Sequence, residues 1–549
     1  MICCRLRNYS PQMIVTALAV TALLTSCSSG SGTTNGGGGG TPPPTTYTIG
    51  GIVSGLAAGD NLSLEDNGGD MLTVTANGTF TFATKLTSGS AYSVTVSTQP
   101  ASPAQGCTVS NGSGTATANV TSVAVACTAS GEVVLYSFKG GTSDGGYYTT
   151  AGTLMSHAEL LTDSSGNLYG TTQFGGQDNL GTVFKLAKGS GGSYTENVLY
   201  SFQGGASDGS WPVTGLIADS NGNLYGTTLT GGTGSCTISG QPAGCGTVFK
   251  LTKTSGGSYT ENLLHSFQGG TSDGATPYAA LTMDSSGNLY GTTGDGGAGS
   301  CTNPVQPAGC GTVFKLALNS NGSYTESVLY SFQGGTTDGN EPQAGLIMDS
   351  GGNLYGTTAT GGSRSCNNFI GCGTVFKLAP GGNGSYTESL LYSFKGEPGD
   401  GAGPSDMVMD SGGNLYGTTA AGGTDGYSIG TVFKLTKGAS GSYAESMLHS
   451  FQSGAVGGFG PEPGLIMDSG GSLYGAAQEG GADGYGAVFK MAPGSGGSYT
   501  ESSLYSFQSG SSDGALPFAG VIMDSNGNLY GTTVMGGTND QGMVFEIVQ

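Results

Sequence analysis

Six aspartates recur in a GGxxDG motif or its variants, at Asp144, Asp208, Asp273, Asp338, Asp400 and Asp513. Carboxylates gathered on one rim would offer the hard oxygens that Ca²⁺ takes. Asp-Gly is also a strong turn former, because the side chain caps nearby backbone N–H groups, and the chain holds no DxDxDG calcium loop. Turn capping is the preferred reading, so no cofactor is expected and calcium stays the alternative at these positions. A second series, Asp163, Asp219, Asp284, Asp349, Asp410, Asp468 and Asp524, opens D-x-x-G-N hairpins or close variants. Recurrence in every copy argues for turn chemistry, since a catalytic group is needed once. A glutamate series, Glu196, Glu261, Glu326, Glu388, Glu445 and Glu501, is expected to be solvated charge on outer strands, discouraging edge pairing.

Of the three histidines, His265 and His449 stand where other copies have the tyrosine of LYSF (Tyr200, Tyr330) and read as packing variants. His157 lies in an insertion between Phe138 and Asp163 that also carries Tyr147, Tyr148 and Glu159. With Trp211, the lone tryptophan, and with Tyr278 and Phe518 in equivalent loops, these residues form a candidate aromatic platform for a sugar. Aromatic faces supply large contact area; packing of the same loops onto a neighbouring repeat is the competing reading. No Ser-His-Asp set with plausible context is found, so no catalytic residue is assigned. Paired rim acids for glycoside cleavage remain open.

These residues must be positioned by a chain of 549 residues with 108 glycines and 19 prolines. Only 9% of residues are charged and the net charge is −21. Such a polyanion releases no counterions from phosphates, which excludes nucleic acid as a partner. Glycine richness without a period would mean low complexity, but a period dominates here. The LYG motif places tyrosines at 169, 225, 290, 355, 416, 474 and 530. Repeats of about 60 residues signal a propeller or solenoid.

One copy reads as four antiparallel strands: residues 345–349, 354–358, 373–378 and 386–394. The repeat region opens with a lone fourth-strand segment, 132–138, and ends after a third strand, 543–547. The first segment can complete the last unit, which predicts an all-β seven-bladed propeller of four-stranded blades with a split closing blade over 131–549. Ahead of it, residues 47–128 alternate short strands with turns such as Asn77-Gly78. That pattern suggests a β-sandwich spacer, similar to the immunoglobulin-like domains of bacterial surface proteins.

At the N-terminus, Arg5 and Arg7 precede the apolar run 13–24, which is too short to span a bilayer and reads as a signal peptide. Leu24-Thr25-Ser26-Cys27 resembles the bacterial lipobox. That resemblance implies cleavage of residues 1–26 and lipidation of Cys27, with 27–46 as a Gly/Ser/Pro tether. Membrane contact would then be through the lipid anchor alone, on the outer membrane in a Gram-negative cell. The remaining cysteines fall into close pairs, Cys107/Cys127, Cys236/Cys245, Cys301/Cys310 and Cys366/Cys372. In an exported chain these read as disulfides.

The recurring LYGTT…GG…GTVFKL…YTE…LYSF over 132–549 resembles the bacterial GloVer-type tandem repeat, found in exported and surface-anchored proteins. That family has no assigned catalytic residues. The DSSGN-LYG segment also resembles NHL-type propellers, which bind partners and are only sometimes enzymes. The expected function is a monomeric, non-enzymatic envelope lipoprotein binding a glycan or protein. The alternatives are a polysaccharide lyase or hydrolase with acids on the long-loop face, or a structural envelope component.

Overall fold

The computed structural model describes residues 44–549, apart from 57–60, 99, 101–104, 130, 147–157, 190–192, 239–240, 302–306, 364–365, 367–370, 397–398, 425–428, 453–457 and 462–463. The signal segment, Cys27 and most of the tether therefore lie outside the described residues, as do Tyr147, Tyr148 and His157.

Residues 46–129 form two four-stranded sheets over one core. In one sheet, Gly78–Thr81, Ile49–Ser54, Val120–Ala129 and Gln105–Ser110 lie side by side. The other orders Asp70–Val74, Leu62–Asp66, Ala91–Thr98 and Ser113–Thr115. Alternation puts Leu62, Leu64, Val94, Val123 and Val125 between the sheets, each under 5% exposed. Cys107 lies directly opposite Cys127 on neighbouring strands and is bonded to it.

From residue 131 the chain is all β, built of seven similar antiparallel sheets, numbered one to seven in chain order. Sheet four is representative: Ile347–Met348, Leu354–Thr358, Thr374–Pro380 and Tyr386–Ser393, hydrogen-bonded in that order. The first strand is shorter than expected, two residues rather than five. Its leading residues peel away to bond a neighbour, as where Thr282 Oγ1 of sheet three donates to the Leu346 carbonyl of sheet four. In sheet five the stretch is part of one long strand, Asp400–Met409, whose register against Leu415–Gly423 shifts between Pro404 and Met407.

The offset of the sequence closes the array. Gly131–Ser137 pairs antiparallel with Met543–Val548, so the first strand of the repeat region is the fourth strand of sheet seven. A cycle of phenylalanines runs through every junction. The phenylalanine ending each fourth-strand segment packs edge-on against the third-strand phenylalanine of the next sheet. The pairs are Phe138–Phe184, Phe202–Phe249, Phe267–Phe314, Phe332–Phe376, Phe394–Phe433, Phe451–Phe489 and Phe507–Phe545, with centroids 5.0–5.3 Å apart. The glycine of LYG makes room for them: a Cβ at Gly170 or Gly226 would stand 2.6 or 2.7 Å from the Phe184 or Phe249 ring.

The turns behave as their sequence demands. In the D-x-x-G-N series, Asp219 Oδ1 accepts from Asn221 N–H and Asn223 N–H, and Oδ2 from the Asn223 amide and the Tyr225 hydroxyl. Those bonds hold the carboxyl below its usual range although partial burial pushes the other way.

Candidate functional site

The GGxxDG aspartates are turn caps. Asp208 is 5% exposed; its Oδ1 accepts from Gly209 N–H (2.6 Å), its Oδ2 from Gln203 N–H (2.7 Å) and the Tyr200 hydroxyl (2.9 Å). Asp144, Asp338, Asp400 and Asp513 repeat this pattern. Each carboxylate is engaged by its own loop, so the six do not converge on a shared ion. The fourth-strand glutamates differ from expectation. One carboxylate oxygen of Glu132, Glu196, Glu261, Glu326 and Glu501 is buried without a hydrogen-bond partner. Burial, with the loop aspartate as a second cause, pushes Glu196 and Glu261 up to about 7. Adjacent sheets close over these side chains; the sequence pattern showed only that they alternate on an outer strand.

The aromatic platform is also corrected. Trp211, Tyr278 and Phe518 are 6%, 7% and 5% exposed. Trp211 and Tyr278 share an apolar cluster with Val213 and Leu229, and Phe174 stacks edge-on against the indole. Their faces are covered by the fold. Loop packing is what they do.

Three residues after the aspartate position of six loops (Gly457 in the sixth sheet's loop) a residue in the left-handed region precedes a proline: Trp211, Thr276, Glu341, Gly403, Gly460 and Leu516, with φ between 56° and 65°. Its N–H donates to the preceding sheet and its carbonyl accepts from its own, as with Glu341 N–H to the Cys310 carbonyl and Ala359 N–H to the Glu341 carbonyl. Non-glycine residues pay about 1–2 kcal/mol for this conformation. The disulfides Cys236–Cys245, Cys301–Cys310 and Cys366–Cys372 rigidify the segments whose carbonyls receive Thr276, Glu341 and Gly403.

Where this position is glycine, space opens. A Cβ at Gly460 would meet nothing within 4 Å, and at Gly403 only ordinary contacts. Between them lies a cavity of about 240 Å³, bounded by sheets four, five and six and lined by Gln343, Pro404, Ser405, Asp406, Pro461 and Gln478 among others. Ser405 is committed to structure, its Oγ 2.6 Å from Thr418 Oγ1 and its carbonyl accepting from Thr357. Asp406 is the charged group of the lining; one carboxylate oxygen accepts from Gly345 N–H, and burial raises its pKa.

Asp406 stands four residues before its hairpin aspartate, where the other copies have Gly215, Ala280, Gly345, Gly464 and Gly520, and Glu159 holds the same position in sheet one. The two acids are thus exceptions in a ring of glycine and alanine. Glu159 lies against Gly215, Gly464 and Gly520, where an added Cβ would crowd it. Contacts from sheets one, two, six and seven place it at the centre of the array. Burial, reinforced by the charge of Asp406, pushes Glu159 up to about 8. A second acid pair belongs to the loops of sheets three and four. Asp295, 3% exposed, accepts from Thr276 Oγ1 (2.6 Å), and burial pushes it up to about 7, with Glu341 adding repulsion. Sequence inspection singled out only Glu159 of these four, and for its insertion. Aligning the copies column by column and looking for departures is the signal that finds the rest.

A family model described as the Gloeobacter/Verrucomicrobia repeat matches residues 102–370 and again 366–549. No curated protein matches the sequence. Among solved structures, a protein assigned as a gluconolactonase by a structural-genomics consortium is 12% identical, with 68% of this chain and 93% of that one covered and a TM-score of 0.31. A gluconolactonase of Xanthomonas campestris is 13% identical over 64% and 87% of the two chains, with a TM-score of 0.33. Overlaps this loose carry nothing about activity.

Proposed function

The chain belongs to the Gloeobacter/Verrucomicrobia repeat family, and we propose that its seven sheets are the blades of a propeller that binds one saccharide unit between blades four, five and six. The observation that carries this reading is the pair of glycines, Gly403 and Gly460, at a position that Trp211, Thr276, Glu341 and Leu516 otherwise fill. They leave a cavity with a carboxyl (Asp406) and two amides (Gln343, Gln478) among apolar walls. Hydroxyl-rich ligands suit such a mixture of few polar groups on a largely apolar lining. Four disulfides support a location outside the cytoplasm. In this reading Cys27 carries the lipid, residues 28–46 the tether, and the immunoglobulin-like sandwich the spacing from the membrane.

Calorimetric titration with a panel of monosaccharides and oligosaccharides tests it. One saccharide class should bind, and Gly460→Leu, which adds a side chain that Leu516 already carries at the equivalent site, should abolish binding while the protein stays folded. Absence of binding across the panel would sink the reading.

A second reading, polysaccharide cleavage, is favoured by Glu159. Held protonated near neutral pH beside the Asp406 carboxyl, it has the protonation state of a general acid. Release of reducing ends from a polysaccharide, lost in Glu159→Gln, would support it over simple binding.

A further inference from the structure

At the perimeter five of the seven junctions between sheets repeat one arrangement. A tyrosine on a fourth strand donates its hydroxyl to the following loop aspartate, and a glutamate on the next sheet's fourth strand lies beside them. Tyr200–Asp208 with Glu261 and Tyr330–Asp338 with Glu388 are examples. Between sheets two and three the tyrosine is replaced by His265. There one ligand atom from each of His265, Asp273 and Glu326 lies within 4.8 Å of the others. His265 Nε2 is 3.4 Å from Asp273 Oδ2, a spacing suited to two ligands about 2.0–2.2 Å from a common ion. Nε2 and Glu326 Oε1 are both buried and lack a hydrogen-bond partner.

The surroundings fix these groups. Asp273 accepts from Gly274 N–H (2.7 Å) and Gln268 N–H (2.8 Å), which prevents its carboxylate from turning. The imidazole packs edge-on against Phe267 at 4.7 Å. Side-chain exposures of 19% for His265 and 11% for Asp273 leave an entry route from solvent. A tyrosine satisfies this place by donating a hydrogen bond to the aspartate. A neutral imidazole instead offers a lone pair, and two carboxylates with one imidazole suit metals of intermediate hardness.

We propose that His265, Asp273 and Glu326 form a binding site for a divalent transition metal, of the Zn²⁺, Co²⁺ or Mn²⁺ class, unique to the junction of sheets two and three among the described residues. His449 supplies the contrast: it also replaces a tyrosine, but the copy it begins has Gly457 where the aspartate would stand.

The test uses the full chain stripped with EDTA and titrated with Co²⁺, followed by its visible absorption, with Zn²⁺ as competitor. A single equivalent should bind and be displaced by Zn²⁺. His265→Tyr restores the residue found at Tyr136, Tyr200, Tyr330, Tyr392 and Tyr505, so it should stay folded yet lose affinity by at least about tenfold. His449→Tyr should bind as the unaltered chain does. Failure of the unaltered protein to take up Co²⁺, or equal affinity in His265→Tyr, would overturn the proposal.

Discussion

The perimeter and the centre of the ring treat carboxyl groups in opposite ways. At the perimeter, acids are the rule: a loop aspartate caps its turn and a glutamate from the next sheet is buried against it. At the centre, glycine and alanine are the rule, because first strands of several sheets approach one another closely, and Glu159 and Asp406 are the exceptions. Repetition identifies what the fold needs everywhere. Departure from it identifies what only one place needs. His265 at the perimeter, and Glu159, Asp406, Gly403 and Gly460 at the centre, are such departures. Changing a repeated residue should therefore cost stability, whereas returning an exception toward the repeat should cost little and alter binding alone.

Phe314→Ala should give the largest effect, because it empties one junction of the phenylalanine cycle. A loss of about 3–5 kcal/mol is expected, read from denaturant unfolding. A loss no larger than that of an exception would break the distinction drawn between the two kinds of residue. Next, replacing both Cys301 and Cys310 by alanine opens a nine-residue loop and should remove roughly 2–3 kcal/mol. Proteolysis of the altered chain should begin in that loop.

A pH scan sharpens the contrast between buried and turn-forming acids. Glu196, Glu261, Glu326, Glu388 and Glu445 are pushed up to about 7 and Glu132 and Glu159 to about 8. Their folded pKa values exceed the unfolded ones, so the stability they contribute is complete below about pH 4.5 and is lost as pH rises through 7 to 8. The turn aspartates, such as Asp163 and Asp284, are lowered and contribute above the unfolded value, losing stability in stronger acid. The melting temperature should peak near about pH 5 and fall by several degrees at about pH 9. A flat profile between those values would mean that the perimeter glutamates are solvated after all. The smallest change is expected at an exception: Gly460→Leu should cost about 1 kcal/mol for its left-handed backbone, measured by thermal unfolding, while filling the cavity.

Much of the architecture was legible because repetition amplifies weak local signals. Four strands per copy, the D-x-x-G-N turns, the disulfide pairs and the split sheet all follow from patterns that recur or are local. The sequence by itself also favoured the turn role of the aspartate series, since a capping carboxylate acts on N–H groups within five residues of its own chain. Only the tertiary structure decided the rest. Whether a rim aromatic faces solvent depends on the neighbouring sheet, and for Trp211, Tyr278 and Phe518 that neighbour covers the ring. The perimeter glutamates look solvated along one strand and become buried when two sheets meet. Glu159 and Asp406 are 247 residues apart in sequence, yet closure of the ring brings their charges within reach of one another. Contacts between residues this distant arise from how whole sheets pack, and no local pattern encodes them.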